Sequence, residues 1–388
     1  MTSNEPTPKV CGRIVCLKEC DNEEIDQQTF TKAAEVIARF NHDKKPCQEF
    51  CSDLIHGFAF DPEDLCEECV KALDEEGLLD HIEDDIEVVG YENRPWGTER
   101  VGVFESPSSN VQRDGEKNRY KGADVDVFVL DSGVEKNHPY LNVVETRSFI
   151  RSEPQTDDLN GHGTQCAGII GALDRGWKPG EFIDVVGVAP GVRIHGYKVL
   201  GRNGSGRFSD IIAGVENVNA FKRRNPEKRV VVNMSLGGFV GTQRYTALDR
   251  EVARLVEKRD VTVIVAAGND NRDSTLYSPA HTKECITVGA FDQNDTFSTY
   301  SNFGHAVDIL APGNDIRTST INGGVAAVTG TSFAAPFVCG AAALILAKEE
   351  NKLLKPHQVE GQLLALCKKN IKRVPNGTPD LTLQVNLL

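Results

Sequence analysis

Beyond residue 120 the chain alternates two kinds of segment. Residues 125–130, 193–200, 230–234 and 261–267 are short, mostly apolar and rich in β-branched side chains, which is the pattern of strands covered on both faces. Between them, residues 210–224 and 245–258 carry apolar side chains at helical spacing. The alternation predicts an α/β fold with a parallel sheet flanked by helices. Ligands bind such sheets at the carboxyl ends of the strands, so residues that directly follow a strand are the first candidates for chemistry.

Ahead of this region the pattern changes. Seven of the eleven cysteines, Cys11, Cys16, Cys20, Cys47, Cys51, Cys66 and Cys69, precede residue 70, and residues 81–93 are acidic. From Arg94 onward glycine and small residues become frequent, with Pro95, Ser106 and Pro107 as turn formers of a linker. The predicted organisation is a small domain over residues 1–90 and a large one over 91–388, as suits a chain of 388 residues, longer than one average domain. The chain carries no internal repeat.

Charge narrows the partners. A formal net charge of -14 repels nucleic acid and anionic membranes alike. The longest nearly apolar stretch, residues 333–347, is interrupted by Pro336 and falls short of the ~20 residues that cross a bilayer. Neither nucleic acid nor a membrane is an expected partner. Residues 1–10 are polar and show no apolar signal segment. A signal outside this sequence, unconventional export and an intracellular location all stay open.

Three residues at element ends carry candidate chemistry. Asp131 directly follows Val-Phe-Val-Leu and precedes Ser132-Gly133; by itself it reads equally as a turn aspartate. His162 sits in Gly161-His162-Gly163-Thr164, followed by the small residues Cys166, Ala167 and Gly168; a lone histidine there is more often structural. Ser332, in Gly330-Thr331-Ser332, precedes the apolar run at 333–347 and by itself reads as a helix N-cap. Together the three change meaning, because Asp, His and Ser follow one another in the chain order of subtilisin.

On these motifs the chain resembles the subtilisin-like serine proteases, closest to the proteinase K branch, from Arg94 to Leu388. The resemblance implies a serine endopeptidase working through an acyl-enzyme. His162 would take the proton of Ser332, and Asp131 would orient the imidazole and stabilise its cation. Asn269, in Ala266-Ala267-Gly268-Asn269, matches the family's oxyanion asparagine. Ser235-Leu236-Gly237 and Ala266-Ala267-Gly268 resemble the walls of the S1 pocket, and Gly204-Ser205-Gly206 the opposite substrate edge; glycines there read equally as turn residues. Such walls imply broad specificity with apolar or aromatic P1 side chains in protein and peptide substrates. Asp308 matches a calcium-binding aspartate of proteinase K-like enzymes, with carbonyls near Lys283 and Cys285, and reads nearly as well as a buried structural aspartate. Structural calcium is therefore an expectation, and the chemistry needs no cofactor. Pro336 is expected in the first turn of the Ser332 helix, where its missing N–H costs least.

Residues 13–87 resemble the α+β inhibitory propeptide of these proteases, with strands at 13–19, near 56–60 and at 81–88. The implied protein is a monomer and a self-processing precursor, cleaved between about 88 and 93, whose first domain inhibits the second. The resemblance also favours an extracellular or secretory location, in which the Asn203, Asn294 and Asn376 sequons would matter. The seven N-terminal cysteines depart from that pattern: the pairs Cys16/Cys20, Cys47/Cys51 and Cys66/Cys69 offer zinc ligands at a spacing that fits no standard zinc module, beside the readings of disulfides in an exported precursor or plain thiols in a reducing compartment. Cys166, one helical turn past His162, matches a free thiol of proteinase K-like enzymes, whereas Cys285 and Cys339 read as buried small hydrophobes. Two competing readings remain: a catalytically silent binding or regulatory protein on a protease scaffold, and a cysteine-rich metal or redox module that accounts only for the first 70 residues.

Overall fold

The computed structural model describes residues 10–18, 23–40, 46, 48–51, 56–61, 63–86, 95–103, 122–173, 185–242, 245–351 and 353–386. The expected cleavage region at 88–93, the linker residues Ser106 and Pro107, and the side chains of Cys11, Cys20, Cys47 and Cys51 lie outside the described residues. The chain divides into two compact units, Met1–Tyr91 and Glu92–Leu388.

The first unit runs β1 (Val10–Leu17), α1 (Glu23–Phe40), β2 (Gln48–Cys51), β3 (His56–Phe60), α2 (Glu67–Glu75) and β4 (Leu79–Ile86). Its antiparallel sheet has the order β2-β3-β1-β4. Alternate residues of β1 and β3, Val15 and Leu17 with Phe58 and Phe60, share one core with Val36 and Ile37 of α1 and Leu73 of α2, as a sheet covered on one face requires.

The second unit runs α3 (Trp96–Arg100), β5 (Val125–Asp131), β6 (Val143–Ser148), α4 (His162–Gly171), β7 (Arg193–Lys198), α5 (Phe208–Arg224), β8 (Arg229–Met234), β9 (Gly238–Phe239), α6 (Ala247–Arg259), β10 (Thr262–Ala266), β11 (Tyr277–Ser278), β12 (Ile286–Phe291), β13 (Ile309–Pro312), β14 (Ile316–Ser319), β15 (Val325–Val328), α7 (Thr331–Ala347) and α8 (Pro356–Ala365). Seven strands form one sheet in the order β13-β12-β10-β8-β5-β7-β6, and every neighbouring pair is parallel. β5 shows why its sequence is apolar throughout. Val125, Val127 and Val129 belong to the core shared with α4 and α7, whereas Phe128 and Leu130 belong to the core shared with α5 and α6.

α7 passes through the larger core. Of its 17 residues only Ser332 is not buried, and small residues let neighbours approach: a Cβ on Gly340 would lie 2.6 Å from Cβ of Val188. A buried polar group pins the sheet's other end, where His195 stands 2.9 Å from Asp126 and 3.0 Å from Glu145, and Arg193 adds a 2.7 Å contact to Asp126. Burial opposes ionisation of Asp126, but hydrogen bonds from Arg193 and His195 outweigh it and hold the carboxyl at about 2. Among the described residues no helix is long and apolar enough to cross a membrane.

Candidate active site

β5 ends at the carboxyl edge of the sheet in Asp131, which is fully buried. One carboxylate oxygen, Oδ1, accepts the Ser132 amide at 2.7 Å and lies 2.8 Å from Nδ1 of His162. His162 opens α4 behind Gly161, whose φ of 100° is a left-handed conformation suited to glycine. The start of α4 is tied down by Asp158. Its Oδ1 accepts from Ser132 Oγ at 2.8 Å and from the Gly161 amide at 2.7 Å, and its Oδ2 accepts from the Thr164 amide and hydroxyl at 3.0 and 2.7 Å. A Cβ on Gly163 would stand 2.0 Å from the Gly133 carbonyl oxygen, so only glycine lets the helix start this close to the Asp131 turn.

Behind the pair lies Lys198, fully buried and registered opposite Asp131 in the sheet. Its Nζ donates to the carbonyls of Ser132 and Asp157 at 3.2 and 3.4 Å and meets Glu153 at 3.1 Å. Burial pushes the His162 imidazole down, but the charge and hydrogen bond of Asp131, with a smaller contribution from Cys166, push it further up, well above its ordinary 6.5.

Ser332 is the second residue of α7, past an N-cap formed by Gly330, so it does not cap the helix. Pro336 falls in the second turn, not the first. The N–H it lacks is the one that would bond the Ser332 carbonyl four residues earlier. That carbonyl is taken up instead by Ser235 Oγ at 2.7 Å and the Cys166 thiol at 3.4 Å. The Ser332 hydroxyl donates to the Ser235 carbonyl at 3.2 Å.

Asn269 follows β10 and faces the same helix start. Its Oδ1 accepts both the amide and the hydroxyl of Thr331 at 2.8 Å, which leaves the amide Nδ2 as the group free to donate. His162, Ser332 and Asn269 line one cleft of about 550 Å³ with Gly204, Ser205 and Gly206 on one side and Ser235, Leu236, Gly237, Ala266, Ala267 and Gly268 on the other. Leu200, Phe208, Ile211, Tyr277 and Ala280 add apolar lining, and Asn160 joins the rim, held by its Nδ2 on the Arg202 carbonyl at 3.0 Å. Every site residue read from the sequence except Asp131 and Asp308 lines this cleft, and Asp131 touches it through His162. The sequence offered only loop-forming polar residues as a sign of Asp158 and Asn160, and none of Lys198.

Among the described residues one trio of metal-ligating type comes together, Asp131, His162 and Cys166, with ligand atoms within 4.8 Å of one another. Asp131 and His162 already serve each other, and burial pushes the Cys166 thiol above its ordinary 9.0. Asp308 lies elsewhere, its Oδ2 accepting the Thr287 amide at 2.7 Å. Burial, aided by the charge of Glu360, pushes it up to about 7 against that hydrogen bond. Asp308 is half-buried, and a carboxylate with no salt-bridge partner among the described residues, offering hard oxygen, suits calcium rather than a soft metal. Cys285 and Cys339 are buried free thiols.

Comparison with known proteins agrees with this geometry. Residues 122–377 match the subtilase family. The chain is 36% identical over 300 residues to proteinase R of Parengyodontium album, covering 76% of this chain and 71% of that one. It is 35% identical over 339 residues to the cuticle-degrading protease of Metarhizium anisopliae, covering 84% and 79%. The crystal structure of a cold-adapted subtilisin-like serine proteinase superposes with a TM-score of 0.62 at 35% identity, over 76% of this chain and 98% of that one. The chain belongs to the subtilase family and is a subtilisin-like serine endopeptidase of the proteinase K-like type.

Proposed function

We propose that Asp131, His162 and Ser332 are the catalytic triad and that Asn269 supplies one oxyanion donor. The observation that carries this reading is the 2.8 Å contact between Asp131 and His162 at a cleft that also holds Ser332 and Asn269. His162 removes the proton of Ser332 as its hydroxyl attacks the scissile carbonyl, and Asp131 holds the imidazolium that results. The oxyanion meets the Ser332 amide, one of the four helix-start N–H groups without an intrahelical partner, and Nδ2 of Asn269. His162 returns the proton to the leaving amine, and water then releases the acyl group.

The substrate chain pairs with the backbone at Gly204-Ser205-Gly206 and Ser235-Leu236-Gly237, where glycine leaves the edges accessible. Leu236, Ala266, Ala267 and Ala280 favour apolar or aromatic P1 side chains with broad selectivity. Residues 1–90 act as the inhibitory propeptide of a self-processing precursor that functions as a monomer in an extracellular or secretory compartment. A calcium ion held by Asp308 and by carbonyls near Lys283 and Cys285 supplies structural charge and takes no part in the chemistry.

Ser332→Ala tests the core of the reading. The variant is expected to fold, to lose peptide hydrolysis and to remain uncut when its mass is measured. Maturation of the purified variant to a fragment beginning near residue 89, with no other protease present, would overturn it. An intact, inert wild type would favour the binding-protein alternative.

A further inference from the structure

β10 hands the chain to residues 267–272, a loop without regular structure that carries Asn269. The backbone polar groups of such a loop need partners from outside it. Asn302, fully buried, supplies four of them. Its own amide donates to the Gly268 carbonyl at 2.8 Å and its Nδ2 to the Ala267 carbonyl at 2.9 Å, while its Oδ1 accepts the amides of Asp270 and Arg272 at 3.1 and 3.0 Å. Those partners fix which way the side-chain amide faces, because two N–H groups stand on one side of it and a carbonyl on the other. The clamp is tied to the sheet. The Asn302 carbonyl accepts from Ser301 Oγ at 2.9 Å, and that oxygen accepts the Ala290 amide of β12 at 3.1 Å. Gly268, at φ 104°, is what lets the loop lie so close: a Cβ there would stand 2.3 Å from Nδ2 of Asn302.

We propose that Asn302 is a positioning residue for peptide hydrolysis and acts through Asn269. The inference rests on the reading of Asn269 as an oxyanion donor and names what holds that donor. Thr331 takes up Oδ1 of Asn269, which sets the direction of its side-chain amide. Asn302 grips the backbone on both sides, at Ala267 and Gly268 before Asn269 and at Asp270 and Arg272 after it, which sets where that amide stands. Asn269 itself is exposed, so its own packing holds it weakly. A donor that serves a charge developing in the transition state has to be in place beforehand, and a misplacement of about 1 Å costs on the order of 10²-fold in rate. The clamp needs asparagine. Aspartate keeps an acceptor for the two amides but sets a second oxygen against the Ala267 carbonyl, and alanine leaves all three side-chain bonds unmade.

The test is a double-mutant cycle on the hydrolysis of a peptide anilide with an apolar P1 residue. Wild type, Asn302→Ala, Asn269→Ala and the double variant are each expressed as the full chain and brought to one mass. Asn302→Ala is expected to lower kcat by about tenfold or more, short of the roughly 10²- to 10³-fold that removal of a donor costs, with KM within about threefold of the wild type. In the Asn269→Ala background the same substitution should cost less than about twofold, because the donor it positions is gone. An equal cost in both backgrounds overturns the inference and leaves the proteolytic reading standing. Asn269→Ala with undiminished kcat overturns the oxyanion assignment and the inference with it. Should Asn302→Ala not fold, Asn302→Asp runs the same cycle with the same expected loss of additivity. Should neither fold, the intact Ser332→Ala chain decides by hydrogen exchange: the amides of Asp270 and Arg272 should exchange at least about tenfold more slowly than unstructured amides, and free exchange at both sinks the assignment.

Discussion

At the scale of single residues the site is a problem of holding one imidazole. Asp131 is buried and bonded both to His162 and to the Ser132 amide, so its charge is fixed where the imidazolium forms. If His162 is the general base of the proposed triad, it must be neutral to accept a proton, and its raised pKa sets the acid limb of the pH profile. Activity should rise with pH through a value above the ordinary 6.5, and Asp131→Asn, which removes the charge that outweighs burial, should bring the imidazole titration down and lower kcat on the order of 10⁴-fold. Nuclear magnetic resonance titration of His162 beside the profile of kcat/KM checks both; a limb at or below 6.5 contradicts the account. The Asp131–His162 contact and the cleft that gathers His162, Ser332 and Asn269 were legible in the sequence because each residue stands at an element end inside a specific motif. Asp158 and Lys198 were not, because they act across the turn and the sheet: Lys198 reads as one more residue of an apolar strand, and only the register that places it opposite Asp131 gives it a task.

At the scale of elements, β5, β8 and β10 were legible because both faces are buried, which writes mostly apolar runs; β7 was legible only as part of the longer run 193–200, since the strand itself carries Arg193, His195 and Lys198. β6 was not, since half-exposed Val-Val-Glu-Thr-Arg-Ser carries edge-strand polarity, and four-residue β13 ends in a proline. Pro336 shows the limit for helices: the residue signals a break, but which carbonyl loses its partner depends on where α7 starts. β12 and β13 hold Asp308 between them, and its pKa has a consequence for stability. A carboxyl raised from 3.8 to about 7 on folding binds its proton more tightly in the native state, so its contribution is favourable at low pH and is lost as pH rises from about 4 to 7. In chelator, the loss should be on the order of 4 kcal/mol at pH 8. Asp308→Asn should flatten that part of the pH dependence. Calcium should raise the melting temperature of the wild type at pH 8 and leave the variant's unchanged; a wild type indifferent to both chelator and calcium would remove the ion from the account.

At the scale of the whole molecule, each unit has its own sheet and its own core, the condition under which a segment can be made as part of a chain and still act as a separate body. If the first unit is an inhibitory propeptide, its carboxyl end should occupy the substrate edges as a cleaved product does, and inhibition should survive physical separation. Residues 1–91 added to the mature enzyme are therefore expected to inhibit competitively. Where to trim them follows from the sheet: residues 84–86 still pair with β1, Asp84 opposite Arg13 and Ile86 opposite Val10, so a segment ending at Ile86 keeps β4 whole while losing the end that would enter the cleft. That shorter segment should keep its circular dichroism and bind at least about tenfold more weakly, a difference of about 1.4 kcal/mol. Reducing agent should leave the inhibition of the longer segment unchanged if its cysteines are thiols and weaken it if disulfides hold the unit together. Equal inhibition by both segments would place the inhibitory contact elsewhere in the unit. Absence of inhibition by either, at concentrations far above that of the enzyme, would end the propeptide assignment while leaving the triad to stand on Ser332→Ala.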